Sequence, residues 1–305
     1  MKKIINQAVE KGKKFTMLGK VADYIPELGN VDPDLVGICI TDMEGNQYCG
    51  GDYNKYFTIQ SISKVVSLIL ALEDNCKDYV FKHVGVSPTA ESFNSITQLE
   101  TKNEHKPMNP FINSGAIVTL SMVNGIDYEQ KFNRIKRMME KMINRDGVEI
   151  NSSVYQSERL TGNRNRALAY YMQSTKVFNE DVEKILDVYF RICSFKVNCI
   201  DISNMAATLS NGGVSVYTGE RIISKETVKI INVIMSSCGL YEGSGKFALD
   251  VGVPSKSGVG GGIVSIVPGK LGIGVFGPSL DLNGNSIAGI KMLEYVNNKL
   301  ELSIY

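Results

Sequence analysis

The sequence has no tryptophan and only two histidines, His83 and His105. That scarcity weakens any mechanism built on an imidazole base or a multi-histidine metal site. Its six cysteines (Cys39, Cys49, Cys76, Cys193, Cys199, Cys238) form no CxxC pair and do not cluster with histidine. Neither a zinc site nor a disulfide framework is expected, and reduced thiols are the default. No metal and no cofactor is called for. Net charge is almost absent: 33 basic against 32 acidic residues give +1, which provides no electrostatic case for nucleic acid or an anionic membrane. No apolar run reaches transmembrane length, and after Met1-Lys2-Lys3 the chain turns polar (Glu10, Lys11, Lys13, Lys14) with no signal-peptide core. The expectation is a soluble, cytoplasmic protein.

What remains is an ordinary globular composition, 43% hydrophobic and 21% charged over 305 residues. That length buries a large core, as one big domain or as two lobes. Ile4 to Lys14 reads as an amphipathic helix and Gly19 to Asn30 as a loop. Val36 to Thr41 and Gln47 to Cys49, joined by Asp42-Met43-Glu44-Gly45-Asn46, read as a hairpin. A long helical stretch follows, and its last helix ends at Asn211-Gly212-Gly213. A helix beginning at Ser224, a second hairpin (Ile263–Val267 and Leu271–Phe276) and a helix from Ser286 close the chain. Strands at both ends around a helical middle give an α/β (α+β) fold. One α/β lobe is built from about 1–60 and 214–305, and a helical lobe is inserted at about 61–213.

The chain is organised around Phe57-Thr58-Ile59-Gln60-Ser61-Ile62-Ser63-Lys64, which runs into Val65-Val66-Ser67-Leu68-Ile69-Leu70-Ala71-Leu72. This is an extended segment followed by a helix apolar on nearly all sides, hence buried. Residues three apart on a helix share a face, so the Lys64 amine can reach the Ser61 hydroxyl. A lysine desolvated in an apolar helix has a lowered pKa and can serve as the base that activates serine. The same tetrapeptide also fits a helix N-cap followed by a snorkelling lysine. Downstream, Lys256-Ser257-Gly258-Val259-Gly260-Gly261-Gly262 precedes a strand. It therefore fits neither a dinucleotide fingerprint nor a P-loop. It suits a sheet edge where bare backbone lines a substrate and offers an N–H to an oxyanion, or simply a glycine-rich turn.

Ser-x-x-Lys near the front with Lys-Ser-Gly near the back is the signature of penicillin-binding and β-lactamase-like serine acyl-enzymes. Longer stretches go further. They are Gly19 to Asp34, Gln60 to Lys64, Pro107 to Pro110 with Asn113 to Ile117, Gln156 to Arg159 with Gly162 and Arg164-Asn165, Met205 to Gly213, Ser237 to Tyr241, and Lys256 to Gly262. Together they closely resemble the serine-dependent glutaminase family, from about Gly19 to Lys291. The resemblance implies a β-lactamase/transpeptidase-like fold, with a mainly antiparallel sheet flanked by helices, in a single domain over 1–305. It implies hydrolysis of L-glutamine to L-glutamate and ammonia through a γ-glutamyl-serine intermediate, and a homodimer or homotetramer. Carried over by position, Ser61 is the nucleophile, Lys64 its base, and Tyr189 assists proton transfer. Tyr24, Gln60, Asn113, Glu158, Asn165 and Tyr241 contact substrate, and the Ser61 and Val259 N–H groups form the oxyanion hole. The residue types suit a zwitterion, since Glu158 supplies an anion for its ammonium while amides and phenols suit its carboxylate. Singly, each has an ordinary structural role: a Glu158-Arg159 surface pair, a core Tyr189, helix caps at Asn113 and Asn165. Two other classes stay open. One is a different serine acyl-enzyme (a peptidase, esterase or β-lactamase), and the other is a non-catalytic glutamine sensor.

Overall fold

The computed structural model describes residues 1–101 and 104–305. Helix α1 (Lys2–Lys13) buries Ile5, Ala8 and Val9 along one face. Strands β1 (Gly37–Asp42) and β2 (Gln47–Gly51) form the first hairpin. Asp42 closes its turn by accepting from the Glu44 and Asn46 amides. Short β3 (Phe57–Thr58) leads through a single 3₁₀ turn (Gln60–Ile62) into α2 (Ser63–Asp74). Then come α3 (Lys77–His83), α4 (Thr97–Thr101), α5 (Asn113–Ser121), α6 (Tyr128–Ile143), α7 (Ser152–Thr161), α8 (Asn163–Ser174) and α9 (Val182–Cys193). Two-residue β4 (Lys196–Val197) precedes α10 (Cys199–Ser210), α11 (Lys225–Cys238) and α12 (Ser244–Asp250). Strands β5 (Ser255–Ser257), β6 (Gly262–Val267) and β7 (Leu271–Phe276) and helix α13 (Ile287–Leu300) complete the chain. Many of these helices begin where a side-chain oxygen satisfies a free amide: Asp127 for α6, Asn151 for α7, Asp181 for α9, Ser224 for α11, Ser286 for α13. At α10, Asn198 and Asp201 cap each other reciprocally.

The five longer-range strands form one antiparallel sheet in the order β2-β1-β7-β6-β5, which joins the two hairpins expected from the sequence. Helices α1 and α13 pack on one face and α10 on the other. Ile5, Val9, Ile38, Ile40, Ile273, Val275, Met292 and Val296 form the core beneath α1 and α13. A second, larger core surrounds α2, whose residues from Ser63 to Leu72 are all buried. Among the described residues no helix is long and apolar enough to cross a membrane.

Two local outcomes depart from the sequence reading. Cys39 lies directly opposite Cys49 in the hairpin register, and the two are joined as a disulfide. The expectation of six reduced thiols fails here because antiparallel pairing, not sequence spacing, made them neighbours. Within Phe195-Lys196-Val197-Asn198, which carries no distinctive sequence pattern, Lys196–Val197 forms β4 and pairs with β3, and the Phe195 carbonyl accepts the Ile59 N–H at 2.9 Å. It straps down the segment that leads to Ser61.

Helix α10 sits on the sheet at backbone distance. A Cβ on Gly272 would lie 2.2 Å from the Ala207 nitrogen, and one on Gly274 2.5 Å from the Cys199 carbonyl oxygen. Gly272→Ala must therefore push the helix off the sheet, and overpacking of this kind costs roughly 1–3 kcal/mol. Urea unfolding should show a lower midpoint with an unchanged slope. An unaltered midpoint would contradict this packing.

Candidate active site

The Ser61 turn is built by forcing the backbone. Gln60 adopts the left-handed conformation, with φ +49°, at about 1–2 kcal/mol for a residue carrying a Cβ. Ser61 thus lies in the 3₁₀ turn ahead of α2. The residue that caps α2 is Ile62, with no side-chain hydrogen bond, so Ser61 is not a helix cap. The glycines after β5 close on this turn from the other side. A Cβ on Gly258 would stand 2.7 Å from the Ile59 carbonyl oxygen and 3.4 Å from the Ser61 nitrogen, and one on Gly260 2.4 Å from the Thr58 carbonyl oxygen. Only bare backbone approaches so closely. Between them, the Val259 N–H has no acceptor among the described residues.

Lys64 is 1% exposed, which rules out a snorkelling lysine. Its Nζ donates to the Phe111 carbonyl at 3.1 Å and to Asn113 Oδ1 at 2.8 Å. The spacing suggested a reach to the Ser61 hydroxyl; among the described residues its hydrogen bonds go to these two acceptors instead. A neutral amine has two N–H donors and one lone pair. Both donors are engaged, so the lone pair is left for another partner. Burial lowers its pKa to about 8, against the opposing influence of Cys193 and Glu158. Asn113, the first residue of α5, is the hub of this network. Its Oδ1 also accepts from the Tyr189 hydroxyl at 3.3 Å, and its amide donates to Asn165 Oδ1 at 2.9 Å. Neither asparagine is a helix cap.

Ser61 faces a cleft, open to solvent, that is also lined by Gln60, Asn113, Glu158, Asn165 and Tyr189. Glu158, on α7, is only 6% exposed, so it is no surface partner of Arg159. Its Oε2 is buried without a hydrogen-bond partner among the described residues. Burial raises the carboxyl pKa to about 8, with Lys64 pulling it back. Tyr24, 52% exposed, stands at the mouth. Tyr241 does not line the cleft but flanks it: its phenol lies beside Ser61, and burial pushes its pKa up to about 12. Like Gln60 it carries a positive φ, +54°. Val259 lines a neighbouring cavity with Gly260 and Thr58 and meets the site through its backbone.

Two lining residues were not legible as site residues. Phe93 spans from Tyr24 to Tyr241, with ring centroids 6.5 and 5.0 Å away, and its carbonyl accepts the Asn113 N–H. The next carbonyl, of Asn94, accepts from Arg164 Nε. Both sit in a loop without periodic pattern, and no motif marks them. A larger cleft outside α9 contains no serine, threonine or cysteine, and two of its arginines are paired, Arg191 with Glu129 and Arg166 with Glu183. Among the described residues no three His, Cys, Asp or Glu side chains come together to hold a metal.

Comparison with known proteins finds relatives over the whole length of the chain. A family model described as Glutaminase matches residues 19–305. The chain is 52% identical over 305 residues to a glutaminase of Clostridium tetani and 50% identical to one of Clostridium botulinum, with complete coverage of both chains in each pair. Two Bacillus subtilis structures share its fold. A probable glutaminase superposes with TM-score 0.94 at 36% identity, over 100% of this chain and 97% of that one. A glutaminase in covalent complex with 5-oxo-L-norleucine, formed by reaction with 6-diazo-5-oxo-L-norleucine, gives 0.91 at 36% identity, over 100% and 99%. The antiparallel sheet with its flanking helices is thus the β-lactamase-like architecture of the bacterial glutaminases. Matched from residue 19 to its last residue and sharing half its positions with these relatives, the chain belongs to the glutaminase family.

Proposed function

We propose that this protein hydrolyses L-glutamine to L-glutamate and ammonia through a γ-glutamyl-Ser61 acyl-enzyme. The observation that carries the reading is the buried, partnerless Glu158 Oε2 in the cleft that Ser61 faces. Ionising a buried carboxyl with one oxygen unpartnered is costly, and a substrate ammonium supplies what that oxygen lacks. Lys64, its two donors engaged, takes the Ser61 proton on its lone pair. The Ser61 oxygen attacks the γ-carbonyl carbon, and the developing oxyanion receives the Ser61 and Val259 N–H groups. Tyr189, hydrogen-bonded to the same Asn113 oxygen as Lys64, assists passage of the proton to the departing ammonia. Water then releases glutamate by the reverse sequence, with Lys64 again as base. Gln60, Asn165, Tyr24 and Tyr241 hold the substrate's carboxylate end and orientation. The covalent complex of the Bacillus subtilis relative with 5-oxo-L-norleucine is in keeping with covalent catalysis.

Substrate binding also prepares the base. Lys64 and Glu158 act on each other's proton affinity. An ammonium arriving at Glu158 takes over the neutralising role of Lys64 and, by like-charge repulsion, favours the unprotonated amine. The same reading takes residues 1–305 as a single domain with a two-part α/β lobe and an inserted helical lobe. It makes the protein cytoplasmic and a homodimer or homotetramer, which light scattering reads directly.

Ser61→Ala should leave the fold intact and lower kcat by several orders of magnitude. Ammonia release above a few per cent of wild type would sink the assignment. Lys64→Arg should not restore activity to Lys64→Ala, because a guanidinium is no base near neutral pH.

The pH profile follows from two groups that both titrate at about 8. Turnover needs Lys64 without its extra proton and Glu158 ionised. Raising the pH through about 8 favours both forms, so kcat/KM should rise there and fall on the acid side. A profile flat between about pH 6 and 8 contradicts the assignment.

Glu158→Gln keeps size and removes charge. A charge-assisted contact is worth ~1.5–3 kcal/mol, so kcat/KM for glutamine should fall at least about tenfold. Glutamine lacking its α-amino group should be a poor substrate for the wild type and nearly indifferent to the substitution. Equal damage to both substrates would show that Glu158 is not the ammonium ligand.

A further inference from the structure

The site contains a second buried amine that the mechanism above does not use. Lys256, on β5, is 0% exposed. Its Nζ donates to the Ser257 carbonyl at 2.6 Å and to the Gly239 carbonyl at 3.0 Å, and it stands 4.3 Å from the centroid of the Tyr241 ring. Among the described residues no carboxylate pairs with it. We infer that Lys256 is a positioning residue for the reaction, holding Tyr241 and the Ser257–Val259 edge of the sheet in register with Ser61. The inference rests on the glutaminase reading of the site.

The two lysines differ in what surrounds them. Lys64 has two oxygen acceptors and a free lone pair, the equipment of a base. Lys256 has two carbonyls for its N–H groups and the face of an aromatic ring beside them. Burial, and Lys64 as a like charge, hold its pKa well below the ordinary lysine value. Its two N–H donors are thus committed to holding neighbours.

The groups it holds are those that need holding. Tyr241 sits in a strained backbone conformation, φ +54°, which persists only where surroundings enforce it. Its hydroxyl approaches the Ser257 carbonyl at 3.5 Å, the acceptor that Lys256 also uses. Gly239 ends α11 hard against β5, since a Cβ there would lie 1.7 Å from the Ser255 carbonyl oxygen. The Ser257 N–H donates back to the Gly239 carbonyl at 3.2 Å. One amine therefore joins the end of α11, the turn bearing Tyr241 and the edge strand. Two residues beyond Ser257, in the turn that follows β5, lies Val259, whose N–H has no acceptor among the described residues. β5 is the outermost strand of the sheet, so among the described residues no further strand holds that edge in place.

The test compares Lys256→Met, Tyr241→Phe and the double variant with wild type, by steady-state kinetics on glutamine and by thermal unfolding. Methionine keeps most of the unbranched side chain, one atom shorter, and removes every donor. A positioning role predicts kcat lowered about tenfold or more with KM within about threefold, because the misplaced groups act in the transition state. It also predicts that the double variant loses clearly less than the product of the single losses. Unchanged kcat, a loss carried wholly by KM, or losses that multiply would each overturn the inference. Should Lys256→Met not fold, Lys256→Gln, which retains an N–H donor for these carbonyls, carries the same cycle. Wild-type turnover and Ser61→Ala test the glutaminase reading separately, so the two failures are distinguishable.

Discussion

The rest of the site depends on keeping one amine dry. Lys64 has a depressed pKa only because α2 is buried over its whole first half, and a dry amine must find acceptors within the protein. The turn before α5 provides them. Asn109 Oδ1 accepts the Phe111 and Ile112 amides, leaving the Phe111 carbonyl to face Lys64. Gly115 lets α5 pack so tightly on this turn that a Cβ would lie 1.9 Å from the Asn109 carbonyl oxygen. Asn113 then follows at the first position of α5, passing the contact on to Asn165 and Tyr189. The run Asn109-Pro110-Phe111-Ile112-Asn113 is a mould for the head of Lys64.

A second requirement is that backbone reach backbone. The proposed oxyanion donors, the Ser61 and Val259 N–H groups, can flank one carbonyl only if the Ser61 turn and the turn after β5 touch without side chains between them. Gly258 and Gly260 make this contact, and Gln60 contributes the reversal that turns Ser61 towards it. β3, pinned by β4 and by the Phe195 carbonyl, fixes the lead-in. Strain at Gln60 and Tyr241, the two strained residues that abut Ser61, is sustained by a framework rigid on every side.

Much of this was legible because it is local. Ser61 and Lys64 share one turn, the hairpins carry their own turn residues, and the apolar run after Lys64 reports its burial without any partner being known. The residues from Tyr24 to Tyr241 became readable only through long ordered motifs of a family, since nothing about Glu158 itself says that its carboxylate is buried. Where geometry depends on pairing across the chain, local reading failed. The register that unites Cys39 with Cys49 is one case, the β3–β4 strap another. Spacing likewise brought Lys64 towards Ser61 but said nothing of the Phe111 and Asn113 oxygens that compete for its protons. Phe93 and Asn94 enter through loop backbone carbonyls, which every residue possesses and no side chain advertises.

The order of strands also sets when this protein can come into being. β1 is made early and finds its inner neighbour only in β7, close to the end of the chain. Until the ribosome has released residues 271–276, the first hairpin offers an unpaired inner edge and α10 has no sheet to lie on. Pairings so distant in sequence form slowly, and open edges invite association with other chains. The nascent polypeptide therefore passes most of its synthesis with Ser61 and Lys64 already made and without the turn after β5 that packs beside them. The cleft is complete only once the last strands arrive.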